Sequence, residues 1–292
     1  MAETAASTAY GPIVIAGLEH TLPPDRRIVD DPMAEHMLPP SMRFMVQTGQ
    51  VPVLRRVWFW LLEAVSPGVY AGIVCRKRYI EDKVVESLDS SLDAVVILGA
   101  GLDTLAYRLP QLASLKVYEV DLPENVDYKR KALEAIYGRV PDQVTLVPIN
   151  FEDQTLESAL VQAGYSFDQR SFFVWEGVTQ YLTEAAVRAT FDFLAKAKPG
   201  SRLVLTYVLK DFIDGVNTYG QDGLYKRFRV RNQVWRFGMH PQAVDSFLSD
   251  YSWKLLEQVH SEDYIRRYLN PAQRTQPILE IEPAVYAEKQ LG

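Results

Sequence analysis

Ala94-Val95-Val96-Ile97-Leu98-Gly99-Ala100-Gly101-Leu102-Asp103-Thr104 runs five apolar residues straight into a Gly-x-Gly turn. The composition suits a short parallel strand covered on both faces. Gly99 permits a tight exit from that strand, and Gly101 removes a side chain where a ligand approaches the backbone. The third glycine of a dinucleotide fingerprint is missing, because position 104 is Thr. A small amino-acid nucleoside therefore fits the turn better than a pyrophosphate cofactor. Asp103 either accepts a hydrogen bond from an amino group of that ligand or serves the first turn of the following helix.

Downstream, the same rhythm repeats. A second strand is expected at Lys116 to Val120, a third at Val144 to Ile149, a fourth at Phe172 to Trp175 and a fifth at Leu203 to Val208. Helices are expected near Val126–Ile136 and Leu156–Ala163, and Thr183 is placed to cap a further helix, with Glu184 in its first turn. Alternation of this kind predicts an α/β fold with an open, mostly parallel sheet. Asp121 stands 22 positions after Gly99, at the end of the second strand, where a carboxylate can accept hydrogen bonds from ribose hydroxyls. Glu119 shares its strand face but lies farther from the ligand end. Asn150 and Phe151 follow the third strand, as an adenine-side pair or as a turn cap with a core aromatic. Glycine turn, acid and polar-apolar pair, in that order, favour S-adenosyl-L-methionine over NAD or ATP, with S-adenosyl-L-homocysteine as product and no metal required. Neither a Walker A motif nor a GxSxG elbow is present.

Residues 1–92 read as a helical cover and 93–292 as the main domain. Helical segments are expected at Met42–Thr48, Val51–Val65 and Arg76–Leu88. The run Val57 to Leu62 is expected to pack on the main domain. About 40 residues separate the fifth strand from the region after Tyr251, too many for a turn. Residues 209–250 are therefore read as an inserted substrate lid, with Tyr219, Tyr225, Arg229, Arg231 and Trp235 as its acceptor-side group. Helix is expected at Pro241–Leu248 and late strands at Trp253–Val259 and Ile278–Tyr286. Glu176 and His240, with Asp211, are the candidates to assist an acceptor that must lose a proton.

Composition narrows the classes further. The chain has 292 residues, 48% of them hydrophobic, enough for a large core. Its single cysteine, Cys75, excludes an internal disulfide framework and a thiolate-clustered metal site. With 31 Lys plus Arg against 37 Asp plus Glu the net charge is -6, a poor match to a phosphate backbone. The first residues lack a basic flank and an unbroken apolar stretch, and no span offers about 20 apolar residues. The expectations are thus a cytoplasmic protein, a small-molecule acceptor, no nucleic-acid or membrane partner, and exposed helical surfaces open to homodimer formation.

VVILGAGLDTLAYRL (Val95–Leu109), VYEVDLP (Val117–Pro123) and FVWEGVTQYLTEAAV (Phe173–Val187), with IVDDPMAEHML upstream and WRFGMHPQAVDSFLSDYSWKLLE near the end, resemble the leucine carboxyl methyltransferase superfamily. They are most similar to its small-molecule O-methyltransferases related to the tetracenomycin carboxyl methyltransferase. The resemblance covers nearly the whole chain. It implies a class I S-adenosylmethionine-dependent methyltransferase with a Rossmann-like sheet, an N-terminal helical cover and a substrate lid. It also implies Arg78 (with Arg76 as the neighbouring alternative) as partner of the methionyl carboxylate, and Gly99, Gly101 and Asp103 on the methionine side. Asp121 falls at the ribose, Asn150 beside the adenine where the family commonly has an acid, and Glu176 at the cofactor and substrate entrance. The implied reaction is methyl transfer to the carboxylate of a small aromatic or polyketide-like natural product. Phenol or hydroxyl methylation, methylation of a protein C-terminal carboxylate, and a non-catalytic cofactor-binding scaffold are the alternatives.

Overall fold

The computed structural model describes residues 9–88, 91–150 and 154–291. Ala94–Leu98 forms strand β1, buried along its whole length. Successive side chains of a strand point to opposite faces, so Val95 and Ile97 enter one core cluster while Ala94, Val96 and Leu98 enter another. That is why the run is apolar throughout rather than alternating. β2 (Lys116–Asp121), β3 (Val144–Pro148), β4 (Ser171–Trp175) and β5 (Arg202–Thr206) pair in parallel with their neighbours. β6 (Trp253–Val259) and β7 (Ala284–Lys289) complete a seven-stranded sheet of order β3-β2-β1-β4-β5-β7-β6, with β7 antiparallel to both of its neighbours.

Helices cover both faces. On one lie α1 (Tyr10–His20), α2 (Pro40–Gly49), α3 (Pro52–Val65), α4 (Val69–Ser87) and α5 (Pro123–Tyr137). Ile13, Leu18, Val74, Val126 and Leu133 there share a core with Val95, Val117, Phe172 and Val204 of the sheet. On the other lie α6 (Leu156–Gln162), α7 (Glu184–Leu194) and α8 (Val244–Ser249), where Leu160, Phe191 and Leu248 pack with Phe173, Trp175 and Leu205. The helix boundaries follow local chemistry. Pro123 occupies the first turn of α5 and Gly138, in the left-handed region, ends it. Thr155 and Ser158 form a capping box at α6, and Thr183 accepts the Ala186 amide at 3.2 Å to cap α7.

Three expectations need correction or refinement. The last strand begins at Ala284 rather than Ile278, because Pro283 has no amide to donate. The carbonyls of Ile281 and Pro283 instead take the Leu209 and Tyr207 amides, carrying irregular pairing past the end of β5. The segment inserted after β5 leaves the sheet as short turns at Lys210–Ile213 and Asp222–Leu224 and a π-helical stretch at Tyr225–Arg231. It returns where Met239 bridges Leu209, and α8, although inside the range 209–250, packs in the sheet's helical layer. Finally, α3 buries no residue fully. Trp58, Phe59 and Leu62 pack inward, while Val57, Trp60 and Leu61 stay exposed. Among the described residues no single helix is long and apolar enough to cross a membrane; α3 and α4 pass that test only as a pair bent by 101°.

Candidate functional site

A cavity of ≈ 700 Å³ opens at the C-terminal ends of β1, β2 and β4, where open α/β sheets hold ligands. At its floor the Gly99 and Ala100 amides both donate to the Val120 carbonyl, at 2.8 and 3.0 Å, which folds the β1 exit against β2. Gly99 has φ +70° and an added Cβ there would collide with Val178. Gly101 has φ +45°, and its amide donates to Asp121 Oδ2 at 2.5 Å. Asp121 Oδ1 accepts from the Leu122 amide and from Asn125 Nδ2, both at 2.7 Å. These three donors leave the carboxylate with acceptor capacity to spare, since two oxygens offer about four lone-pair positions.

The β3 end joins this edge through the Ile149 amide, which donates to the Asp121 carbonyl at 2.9 Å. Ile149 forms the cavity wall there, whereas Asn150, one position on, is not among the lining residues. Phe151 lies outside the described residues.

Further ionic groups gather in the same cavity lining. Arg76 Nε donates to Glu176 Oε1 at 2.8 Å and Arg76 Nη1 to Glu282 Oε2 at 2.5 Å. Lys77 Nζ reaches Asp103 Oδ2 at 2.5 Å and Glu176 Oε2 at 3.5 Å. Burial would raise the Asp103 carboxyl, but Lys77 and then Arg108 outweigh it and hold the group well below the usual carboxylate range. Burial likewise opposes the charge on Arg76, yet Glu282 and Glu176 raise its pKa.

Arg78 is not part of this cluster. Its Nε pairs with Asp82 at 2.7 Å and its Nη1 with the Ile28 carbonyl at 3.2 Å, away from the cavity. The helical period was the available signal. Val69, Ile73, Arg76, Lys77 and Ile80 follow the three-and-four spacing of one α4 face, all lining the cavity, and Arg78 falls off it. Lys77, Arg108 and Glu282 were missed. Glu282 has no local motif and arrives from the far end of the chain just before β7.

Away from the strand ends the walls become apolar: Tyr10, Met42, Met45 and Leu62 from the helical cover, Leu224, Phe228 and Trp235 from the insertion. Phe228 and Trp235 stack at 4.8 Å with an interplanar angle of 7°, and the Arg227 guanidinium lies 4.9 Å from the Phe228 ring centre. Of the acceptor-side candidates only Trp235 lines the cavity. Tyr219 is turned to Asp211, at 2.5 Å, Tyr225 packs edge-on against Phe212, and Arg229 caps the Ile213 carbonyl at 2.8 Å. Arg231 and His240 are exposed and outside the cavity. A π-helical turn shifts which side chains face inward, so Arg227 and Phe228 take the place expected of Arg229 and Arg231. Among the described residues no group of three or more His, Cys, Asp or Glu gathers to hold a metal ion.

A seven-stranded sheet with β7 reversed between β5 and β6, and a glycine turn and acid at the β1 and β2 ends, define the class I methyltransferase fold. Solved structures agree. A "putative methyltransferase" from Thermobifida fusca YX superposes with TM-score 0.58 at 17% identity, covering 82% of this chain and 89% of that one. A DUF574 family protein from Streptomyces avermitilis MA-4680 gives 0.55 at 12% identity, covering 86% and 91%. Residues 9–195, well over half of the sequence, match the family profile described as leucine carboxyl methyltransferase, and the chain belongs to that family. Relatives named "Putative S-adenosyl-L-methionine-dependent methyltransferase" occur in Mycobacterium avium (strain 104), 35% identical over 138 residues, and Mycobacterium marinum, 32% identical over 190. Those matches span 47% and 63% of this chain, and 46% and 61% of the relatives' own lengths.

Proposed function

We propose that this protein is an S-adenosylmethionine-dependent O-methyltransferase that esterifies the carboxylate of a small, largely apolar aromatic acid. The observation that carries the reading is one continuous cavity, ionic at the strand ends and apolar between the helical cover and the insertion. The strand end suits an amino-acid nucleoside. Asp121 takes the ribose hydroxyls, Asp103 and Glu176 face the ammonium, Arg76 and Lys77 the carboxylate, and Ile149 and Leu156 flank the base. When bound, S-adenosylmethionine supplies an electrophilic methyl on a sulfonium.

The acceptor end then needs only to orient a nucleophile. Arg227 holds one carboxylate oxygen and the Phe228–Trp235 stack faces the ring, leaving the second oxygen to point towards the donor. A carboxylate is already ionised at neutral pH, so no base is required. This matches walls that, among the described residues, contain no histidine, and whose acids all lie at the strand end. Incubation with methyl-labelled donor and a panel of aromatic acids and phenols tests the assignment. A base-labile small-molecule ester is expected. A base-stable ether would overturn the carboxylate, and label fixed to protein would move the acceptor to a polypeptide terminus.

A further inference from the structure

Helix α3 presents an apolar face that stays exposed among the described residues. Advancing 100° per residue, Val53, Val57, Trp60, Leu61 and Val65 fall on one broad side. They are exposed by 66%, 47%, 68%, 38% and 73%. The two borders of that face differ. On one, Leu62 and Val65 reach the main cavity; on the other, Arg55, Arg56, Phe59 and Glu63 line a separate pocket of ≈ 270 Å³ with Arg26 and Arg274.

This second pocket carries excess positive charge. Arg274 is engaged by Glu19, at 2.7 and 2.9 Å. Among the described residues Arg26 donates to the Gln273 carbonyl at 3.5 Å and the half-buried Arg55 to that of Thr21 at 2.6 Å, and Arg56 is exposed. Among the described residues Glu63 is the sole carboxylate in the lining and its buried Oε1 has no partner; its Oε2 accepts the Gly68 amide at 2.9 Å, and burial pushes the group up. Two exposed guanidiniums, Arg26 and Arg56, beside an apolar stripe match a surface that is anionic at its headgroups and hydrocarbon beneath.

We propose that the protein docks on anionic phospholipid bilayers through α3, with the apolar face in the acyl boundary and the exposed Arg26 and Arg56 on headgroup phosphates. The helix lies in the interface rather than across it: 14 residues span about 21 Å, short of the hydrocarbon core of about 30 Å. In this pose the border carrying Leu62 and Val65 opens the main cavity towards the acyl region, a route for an apolar acceptor. A second copy on the same stripe would bury the apolar face but leave the guanidiniums without counter-charge. The expectation of no membrane partner rested on the lack of about 20 consecutive apolar residues, which bears on crossing a bilayer and not on lying at its surface.

The test is flotation of the full chain with vesicles of phosphatidylcholine alone or mixed with phosphatidylserine. Binding should be about tenfold stronger to the mixed vesicles and weaken with salt. Arg56→Gln should lower it about fivefold, and Trp60→Ala with Leu61→Ala should abolish it, with melting temperatures unchanged because these side chains are exposed. Absence of binding, equal binding to both vesicles, or a dimer in sedimentation that the Trp60 and Leu61 variant disperses would each overturn the proposal. Flotation requires neither methyl donor nor acceptor, so its failure leaves the proposed reaction standing.

Discussion

The two ends of the main cavity are built on different principles. At the strand ends each functional group is held by at least one neighbour: Asp121 by three donors, Glu176 by Arg76 and Lys77, Asp103 by Lys77 and the Leu105 amide. At the far end the walls are aromatic and aliphatic, contributed by two segments that lie outside the sheet. A preorganised polar end selects one invariant ligand, whereas an apolar end built from loops and helices can change occupant without disturbing the sheet. Rigidity and adaptability are divided along one cavity.

The largest effect that follows is structural. Arg76→Gln removes a buried cation shared by Glu176 and Glu282 and should destabilise the fold by about 3–5 kcal/mol, since breaking one side of a buried pair strands the other. Denaturant midpoints check this. A loss below about 1 kcal/mol would mean that water already screens the cluster and that the strand end is not preorganised. Next, Asp121→Ala should weaken S-adenosylhomocysteine binding about 100-fold, as expected for two charge-assisted hydrogen bonds. Calorimetry giving unchanged affinity would remove the ribose from this acid.

How legible each end is in the sequence follows from the same division. β1 could be read because a strand buried on both faces is an uninterrupted apolar run, β2 to β5 because short, mainly apolar stretches recur between helical segments, and Asp121 because its place is set by the strand that ends there. Residues brought by helical phase or by long-range topology were harder. Arg76 differs from Arg78 only by its angle around α4. Glu282 reaches Arg76 only because β7 inserts between β5 and β6. In the insertion, the π-helical turn broke the spacing on which any guess about inward-facing side chains depends.

Gly99→Ala probes the sheet side of the contrast at smaller scale. It combines a left-handed backbone with a collision against Val178, and should cost about 1–3 kcal/mol in thermal unfolding. Arg227→Gln probes the adaptable end. It should raise KM for an acidic acceptor about tenfold, the loss of one charge-assisted contact, while donor affinity and melting temperature stay unchanged. A change in donor affinity instead would show that the two ends are coupled.

The smallest expected effect is a flat response to pH, and it discriminates sharply. The Asp103 carboxyl is depressed in the folded protein because Lys77 and Arg108 outweigh its burial. A depressed carboxylate stabilises the fold fully above its unfolded pKa, about 4, and loses that contribution only as pH falls through the lower folded value. The difference in melting temperature between the native protein and Asp103→Asn should therefore stay constant from about pH 7 to about pH 5 and narrow only below about 4. Narrowing that begins near about pH 6 would require a group titrating in the histidine range to control the cluster. None of the four histidines lines the cavity, so such a result would break the picture of a self-contained ionic end whose charges are fixed across the physiological range.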